Sequence, residues 1–183
     1  ICFADNDKGY IVGEEGVILK TINGGKIWDK AVSGTKEGLN SVHFSSPNTI
    51  SAISDKGIPF TSINEGITWK KRISKNIGIQ ILGSMCYPDA NIGYALDHRS
   101  ENMGGYYKQF TRLVKTTDGG LKWEEGDLSE IWITSIYFVN ANLGYAVSAY
   151  GISKTIDGGL SFGLFDGEAA NFVYFIDSNT GYY

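Results

Sequence analysis

The segment Thr21-Ile22-Asn23-Gly24-Gly25-Lys26-Ile27-Trp28 recurs along the chain. It returns as Ser62-Ile63-Asn64-Glu65-Gly66-Ile67-Thr68-Trp69, as Thr116-Thr117-Asp118-Gly119-Gly120-Leu121-Lys122-Trp123, and as Thr155-Ile156-Asp157-Gly158-Gly159-Leu160-Ser161-Phe162. Each octet opens on a hydroxyl residue, carries Asn or Asp third and Gly fifth, and closes on Trp or Phe. A second landmark, Gly-Tyr, precedes three octets at Gly9-Tyr10, Gly93-Tyr94 and Gly144-Tyr145, and recurs at Gly181-Tyr182. Two landmarks in a fixed order, at a period of roughly 40 residues, define an internal repeat.

The chemistry of the octet is that of a tight turn. Asn23, Asn64, Asp118 and Asp157 can accept hydrogen bonds from their own turn's backbone, and a glycine behind them supplies positive φ without a Cβ clash. The closing Trp28, Trp69, Trp123 and Phe162 offer large apolar faces to a neighbouring unit. Recurring four times, these eight residues are turn architecture rather than four catalytic sites.

Outward from the octets, each unit reads as four short strands. In the second they are Asn40 to Phe44, Ile50 to Ser54, Ile58 to Ser62 and Thr68 to Ile73; in the fourth, Thr134 to Val139, Gly144 to Ala149, Ile152 to Thr155 and a strand from Ser161. Runs of about 4–6 residues between Gly, Asn and Asp turns signal meandering sheet. Four strands in about 40–45 residues match a β-propeller blade, whereas solenoid units are shorter or helical. The expected fold is all-β: four-stranded antiparallel blades over 1–38, 39–79, 80–131 and 132–169, and the start of a fifth over 170–183. The strand from Asn171 to Ile176 repeats the role of Ile1 to Phe3. A closed four-blade ring would have one first strand too many, so the reading is a fragment of a larger ring. The start on Ile1 and the end on Tyr183 likewise read as cuts from something longer.

Composition agrees. Among 183 residues there are 24 Gly and only 3 Pro, with 13% aromatics. Sixteen basic residues against 20 acidic give a net charge of −4 with no block of one sign, so nucleic acid and anionic membrane have no electrostatic footprint. No apolar run approaches the roughly 20 residues of a membrane span, so direct insertion is not expected. Cys2 and Cys86 are too few for a disulfide scaffold.

No cofactor or metal is expected. Asp5-Asn6-Asp7-Lys8-Gly9 resembles the opening of a calcium loop and Asp177-Ser178-Asn179-Thr180-Gly181 echoes it, but the downstream bidentate Glu is missing; Asn140-Ala141-Asn142-Leu143-Gly144 fills the same slot with neutral ligands. These are hairpin turns in series. The column Cys2, His43, Cys86, Tyr137 and Tyr174 lies on first strands of successive units. Positions two blades apart are too distant for a disulfide or a shared metal, so inner-strand packing is expected.

The octets resemble Asp-boxes, also called bacterial neuraminidase repeats. The longer unit from Phe3 to Gly13, followed by Gly16 to Gly25, resembles the photosystem II stability/assembly factor family and its relatives in non-photosynthetic bacteria. That resemblance covers nearly the whole chain. It implies a propeller of about seven blades acting as a non-enzymatic binding platform, exported to the periplasm or the extracellular space. The chain departs from the pattern in its second unit, which lacks Gly-Tyr, has Glu65 in place of a glycine, and puts Pro59 in its third strand, where a lost N–H predicts irregularity. Only Arg72, Arg99 and Arg112 are present, against the arginine-rich surfaces of photosynthetic members.

In such a blade the first and third turns share one side, and the second turn and the link to the next blade share the other. The octets hold the first side, so binding is expected on the second, where loops vary freely. The third unit has a longer segment there, Asp97 to Phe110, with His98, Arg99, Tyr106 and Tyr107, residue types favoured in hot spots or at titratable sites. Trp132 comes from a link on the same side, and Glu14, Glu15 and Tyr150 from other second turns. A bland alternative is an elongated hairpin that shields the core. The function expected is a non-catalytic binding or scaffold module recognising a protein or a glycan. The alternative is part of an Asp-box glycoside hydrolase of sialidase or xyloglucanase type. A sialidase needs three converging arginines and an early Arg-Ile-Pro motif, which is absent. Glycoside hydrolysis needs two carboxyls about 5–9.5 Å apart, for which Glu14, Asp55 and Asp97 are candidates.

Overall fold

Every octet lies at the turn between the third and fourth strands of a sheet. The structure, a computed structural model, describes residues 1–46, 48–72, 82–129, 131–168, 170–175 and 180–183. The first sheet runs β1 (Cys2–Phe3), β2 (Gly9–Val12), β3 (Val17–Thr21), β4 (Asp29–Val32), and the second β5 (Leu39–Ser46), β6 (Thr49–Ser54), β7 (Pro59–Ser62), β8 (Lys70–Lys71). The third is β9 (Leu82–Cys86), β10 (Gly93–Asn102), β11 (Tyr107–Thr116), β12 (Glu124–Ser129), and the fourth β13 (Ile133–Phe138), β14 (Gly144–Ser148), β15 (Gly151–Thr155), β16 (Gly163–Asp166). A two-stranded sheet, β17 (Tyr174–Phe175) with β18 (Gly181–Tyr182), follows. Neighbouring strands pair antiparallel in chain order throughout. The chain is all-β, four four-stranded sheets and a partial fifth, as a run of propeller blades requires. The strand ends expected at Ile73 and Ile176 lie outside the described residues, as do Asp177, Ser178 and Asn179.

The octets fold alike. The first hydroxyl accepts the fifth residue's N–H, at 3.0 Å for Gly25 on Thr21 and 2.9 Å for Gly66 on Ser62, Gly120 on Thr116 and Gly159 on Thr155. The third side chain accepts the seventh N–H: Ile27 on Asn23 at 2.9 Å, Thr68 on Asn64 at 2.9 Å, Lys122 on Asp118 at 2.8 Å, and Ser161 on Asp157 at 3.0 Å. A neutral amide therefore does what a carboxylate does. The fourth N–H reaches across to a first-turn carbonyl of the same sheet: Gly24 to Asp7, Glu65 to Asn48, Gly119 to Asn91, and Gly158 to Asn142. First and third turns thus share a side. The calcium-like segments are turn caps: Asp5 Oδ1 accepts the N–H groups of Asp7 and Lys8, as Asn140 Oδ1 accepts those of Asn142 and Leu143. The bonds from Lys8 and Asp7 hold the Asp5 carboxyl below its ordinary range.

Glu65 keeps the left-handed backbone of its glycine counterparts, at φ 57° against 70° at Gly24 and Gly119. Pro59 does not disrupt the sheet's interior, because it opens β7, where no preceding ladder bond is lost. The irregularity instead falls at the outer edge, where β8 has two residues.

The core lies between sheets rather than within any one of them. Tyr10 and Ile18 of the first pack with Val42, Ile50, Phe60 and Trp69 of the second. Ile53 of the second packs with Met85, Val114 and Trp123 of the third, and Tyr94 and Leu96 of the third with Ile136, Phe138 and Phe162 of the fourth. Trp69, Trp123 and Phe162 thus close each sheet against the one before. Gly-Tyr serves the same junctions. A Cβ on Gly9, Gly93, Gly144 or Gly181 would stand 2.5–2.7 Å from the first-strand ring of its own sheet. The adjoining tyrosine, buried in Tyr10 and Tyr94, donates its hydroxyl into the next sheet, to the Glu65 carbonyl at 2.5 Å and the Ala141 carbonyl at 2.6 Å.

First strands of all five sheets line a central cavity of about 1280 Å³. There Ser84 and Cys86 act as struts: their Oγ and Sγ accept the N–H groups of Ile136 and Phe138 in the next first strand, both at 3.3 Å. Both cysteines are free. Burial pushes the Cys86 thiol up to about 11 and His43 down to about 4, so both are neutral at physiological pH.

Candidate functional site

β10 and β11 pair over ten residues each, Gly93↔Thr116 to Asn102↔Tyr107. Among the described residues, β9 accompanies β10 to Asp97 and β12 accompanies β11 to Thr111. From there β10 and β11 stay paired as a ribbon on the second-turn side, about 13 Å from His98 to Asn102 at strand rise. A bond from Met103 N–H to the Tyr106 carbonyl (2.9 Å) closes the tip. Tyr106 and Tyr107 stand there 63% and 71% exposed, so neither ring is spent on the core.

Cross-strand pairing sorts the ribbon into two surfaces. His98, Ser100, Tyr107 and Gln109 share the one turned toward the fourth sheet. His98 stacks on Trp132 (ring centroids 4.2 Å apart, planes at 24°) and its Nε2 faces the Ile133 carbonyl at 2.8 Å, which places the ring proton on Nε2. Thr111 accepts the Ile133 N–H at 3.1 Å, fixing the link from its other end. Ile133 pairs with Ser148, and Tyr150 follows on the second turn, 75% exposed, with its N–H held by Ser148 Oγ at 3.2 Å. His98 and Trp132 are thus in contact, Tyr107 lies on the same surface of the ribbon as His98, and Tyr150 follows two residues after Ser148, the cross-strand partner of Ile133.

Arg99 lies on the opposite surface. Its Nε donates to Asp97 Oδ2 at 2.8 Å, and both Arg99 and Arg112 bond Glu125. Burial, then Arg99, lowers the Arg112 guanidinium while Asp97 opposes them; it remains charged at neutral pH. Two arginines do converge, but onto carboxylates of their own sheet. Asp97 is fully buried and ion-paired, which removes it from the candidate nucleophiles or acids. Arg72 follows β8, its N–H bonded to the Pro59 carbonyl at 2.8 Å.

Glu14 and Glu15 form a single helical turn with Gly16 in the first sheet, Glu15 at φ 56°. Gly38, in the link to the second sheet, joins two second turns: Leu39 N–H bonds the Gly13 carbonyl, and Asp55 N–H the Gly38 carbonyl. The Asp55 carboxylate and the Glu14 backbone Cα both come within 4 Å of the position a Cβ on Gly38 would take. No contact among the described residues joins this pair to the Trp132 surface. Nor do the described residues group three His, Cys, Asp or Glu side chains around a metal position.

The network of Asp97, Arg99, Arg112 and Glu125 did not emerge from the sequence. Strand alternation puts Asp97 and Arg99 on one surface, but the register that sets Arg112 opposite Asp97 has no local signal.

No protein-family model and no curated protein matches the chain. Solved structures do. An ancestral GH74 enzyme aligns with TM-score 0.63 at 16% identity, over 93% of this chain and 27% of its own. GH74 from Niastella koreensis aligns at 0.61 and 16%, over 85% and 27% respectively. YCF48 from Cyanidioschyzon merolae aligns at 0.50 and 15%, over 97% and 74%. The chain thus spans about a quarter of the length of the GH74 enzymes it matches. All three are β-propellers, and at these identities the likeness is one of fold.

Proposed function

We propose that the chain is a non-catalytic binding segment of a β-propeller, recognising a protein or a glycan on the surface formed by Tyr107, His98, Trp132 and Tyr150. The observation that carries this reading is the His98–Trp132 stack, which bridges two sheets beside the ten-residue β10–β11 pairing. Aromatic rings held by a neighbouring sheet lose little freedom on binding, and so contribute more of their contact energy. The octets, on this reading, are Asp-boxes; the segment belongs to a larger exported ring, similar to assembly-factor-like proteins.

A second reading, part of an Asp-box glycoside hydrolase, draws on the exposed Glu14 and Asp55 at adjoining turns. One experiment separates the two. The intact protein is offered immobilised oligosaccharides and cell-extract proteins, alongside fluorogenic sialosides and β-glucans. Binding lost at least tenfold in Trp132→Ala and Tyr107→Ala, without turnover, is the expected result. Turnover abolished by Glu14→Gln or Asp55→Asn would overturn it.

A further inference from the structure

The third-strand column that faces the preceding sheet changes character in the fourth sheet. Phe60 and Val114 fill it in the second and third, opposite Ala52 and Ala95; Ser153 takes the place in the fourth, opposite Ala146. Gly126 on β12 brings no side chain to the gap. What remains between the third and fourth sheets is a pocket of about 390 Å³ walled by Leu113, Ile133, Ala146 and Phe162. Ile131 and Leu160 stand at its rim, 45% and 86% exposed.

Its polar lining is already engaged. Thr111 accepts the Ile133 N–H, Ser148 donates to the Gly151 carbonyl, and Ser161 to Asp157. Glu125, the charged group on the wall, is neutralised by Arg112 and Arg99. A charged ligand would lose hydration here without gaining a counter-charge, whereas Ser153 offers a hydroxyl to a single polar atom. Clefts for small molecules run about 300–1,000 Å³, and an apolar cavity of about 150 Å³ takes benzene.

We infer that this gap is a binding pocket for a small neutral aromatic compound with one polar atom, held between the two sheets and lined by none of the four rings of the Trp132 surface. Indole is the probe. Titrated into the intact, methyl-labelled protein, it should shift the methyl resonances of Leu113, Ile131, Ile133 and Leu160. Ser153→Phe restores the residue type found in the second sheet and should weaken binding at least tenfold. Ser153→Val, which copies the third sheet's residue, tests the same point should the larger ring disturb folding, and should weaken it about threefold. Tyr107→Ala, at the far end of the ribbon and outside the pocket's lining, should leave indole affinity unchanged, which separates this pocket from the docking surface proposed above. Absence of shifts at millimolar indole, shifts elsewhere, or equal affinity in the filled variants would overturn the inference.

Discussion

Between the first and second sheets, Tyr10 on a second strand reaches forward, its ring edge-on to Phe44 and its hydroxyl on the Glu65 carbonyl. Between the second and third, the direction reverses: Ser51 stands in the tyrosine's column, and Tyr87, in the first-strand column where Phe3, Phe44 and Phe138 stand elsewhere, reaches back to it at 3.1 Å. Between the third and fourth the first arrangement returns, Tyr94 lying flat on Phe138 at 3.5 Å. What persists is the location of a phenol hydroxyl near an octet, not the strand that supplies it. A glycine of the third octet, Gly120, packs against the Tyr87 hydroxyl, as Gly66 packs against Tyr10. The reversed junction is also more polar. Thr61 Oγ1 and Trp123 Nε1 are buried there without a hydrogen-bond partner among the described residues, each at a cost in free energy.

Removing the rings should show the contrast at its largest. Tyr94→Ala deletes a buried, stacked ring and should cost about 3–5 kcal/mol in chemical denaturation. Tyr87→Ala should cost less, since its ring sits in the less complete junction; equal losses would erase the distinction. Removing only hydroxyls sharpens it. Tyr94→Phe strands the Ala141 carbonyl and should cost about 1–2 kcal/mol, whereas Tyr10→Phe should cost less, because Lys20 Nζ still donates to the Glu65 carbonyl at 3.1 Å. Ser51→Ala with Tyr87→Phe removes both partners together, and the pair should cost under about 0.5 kcal/mol, each single change costing more. A double-mutant cycle without coupling would break the account of the reversed junction.

The smallest effect compares octets rather than junctions. Bonds from the Ser161 hydroxyl and N–H, then Thr155, hold the Asp157 carboxyl down at about 2, against 3.8 ordinarily. The folded value lies below the unfolded one, so the turn's ionic contribution is present above pH 4 and is lost as pH falls through about 2. The turns built on Asn23 and Asn64 have no such proton to take up. Amide exchange at Ser161 should therefore quicken between pH 4 and 2, relative to Ile27 and Thr68 once intrinsic rates are divided out. Asp157→Asn should abolish the difference.

Much of the fold was legible because the octet is local chemistry: a hydroxyl, an acceptor two residues on and glycines within five residues dictate the turn wherever they occur. The long hairpin was legible by length alone. The purpose of Gly-Tyr was not, because the ring that excludes a Cβ at Gly144 comes from Phe138, and the carbonyl that receives Tyr94 from a different sheet. Likewise Trp132 could be placed on the correct side, but its partner His98 lies in another unit, and no spacing rule connects them. Of the eight proposed site residues, His98 and Trp132 touch, Tyr107 shares the ribbon surface with His98, and Tyr106 and Tyr150 stand exposed at turns. Arg99 turned away because strand alternation put it beside Asp97, and Glu14 and Glu15 belong to a different part of the side.

The bond from each octet's fourth N–H to a first-turn carbonyl leaves those hairpins no slack. An extra residue in either loop would break that tether, so length can grow only at the opposite end of each sheet. That side is where foreign sequence could be spliced in without unseating the base, and the ten-residue strands of the third sheet already show how far such growth can go.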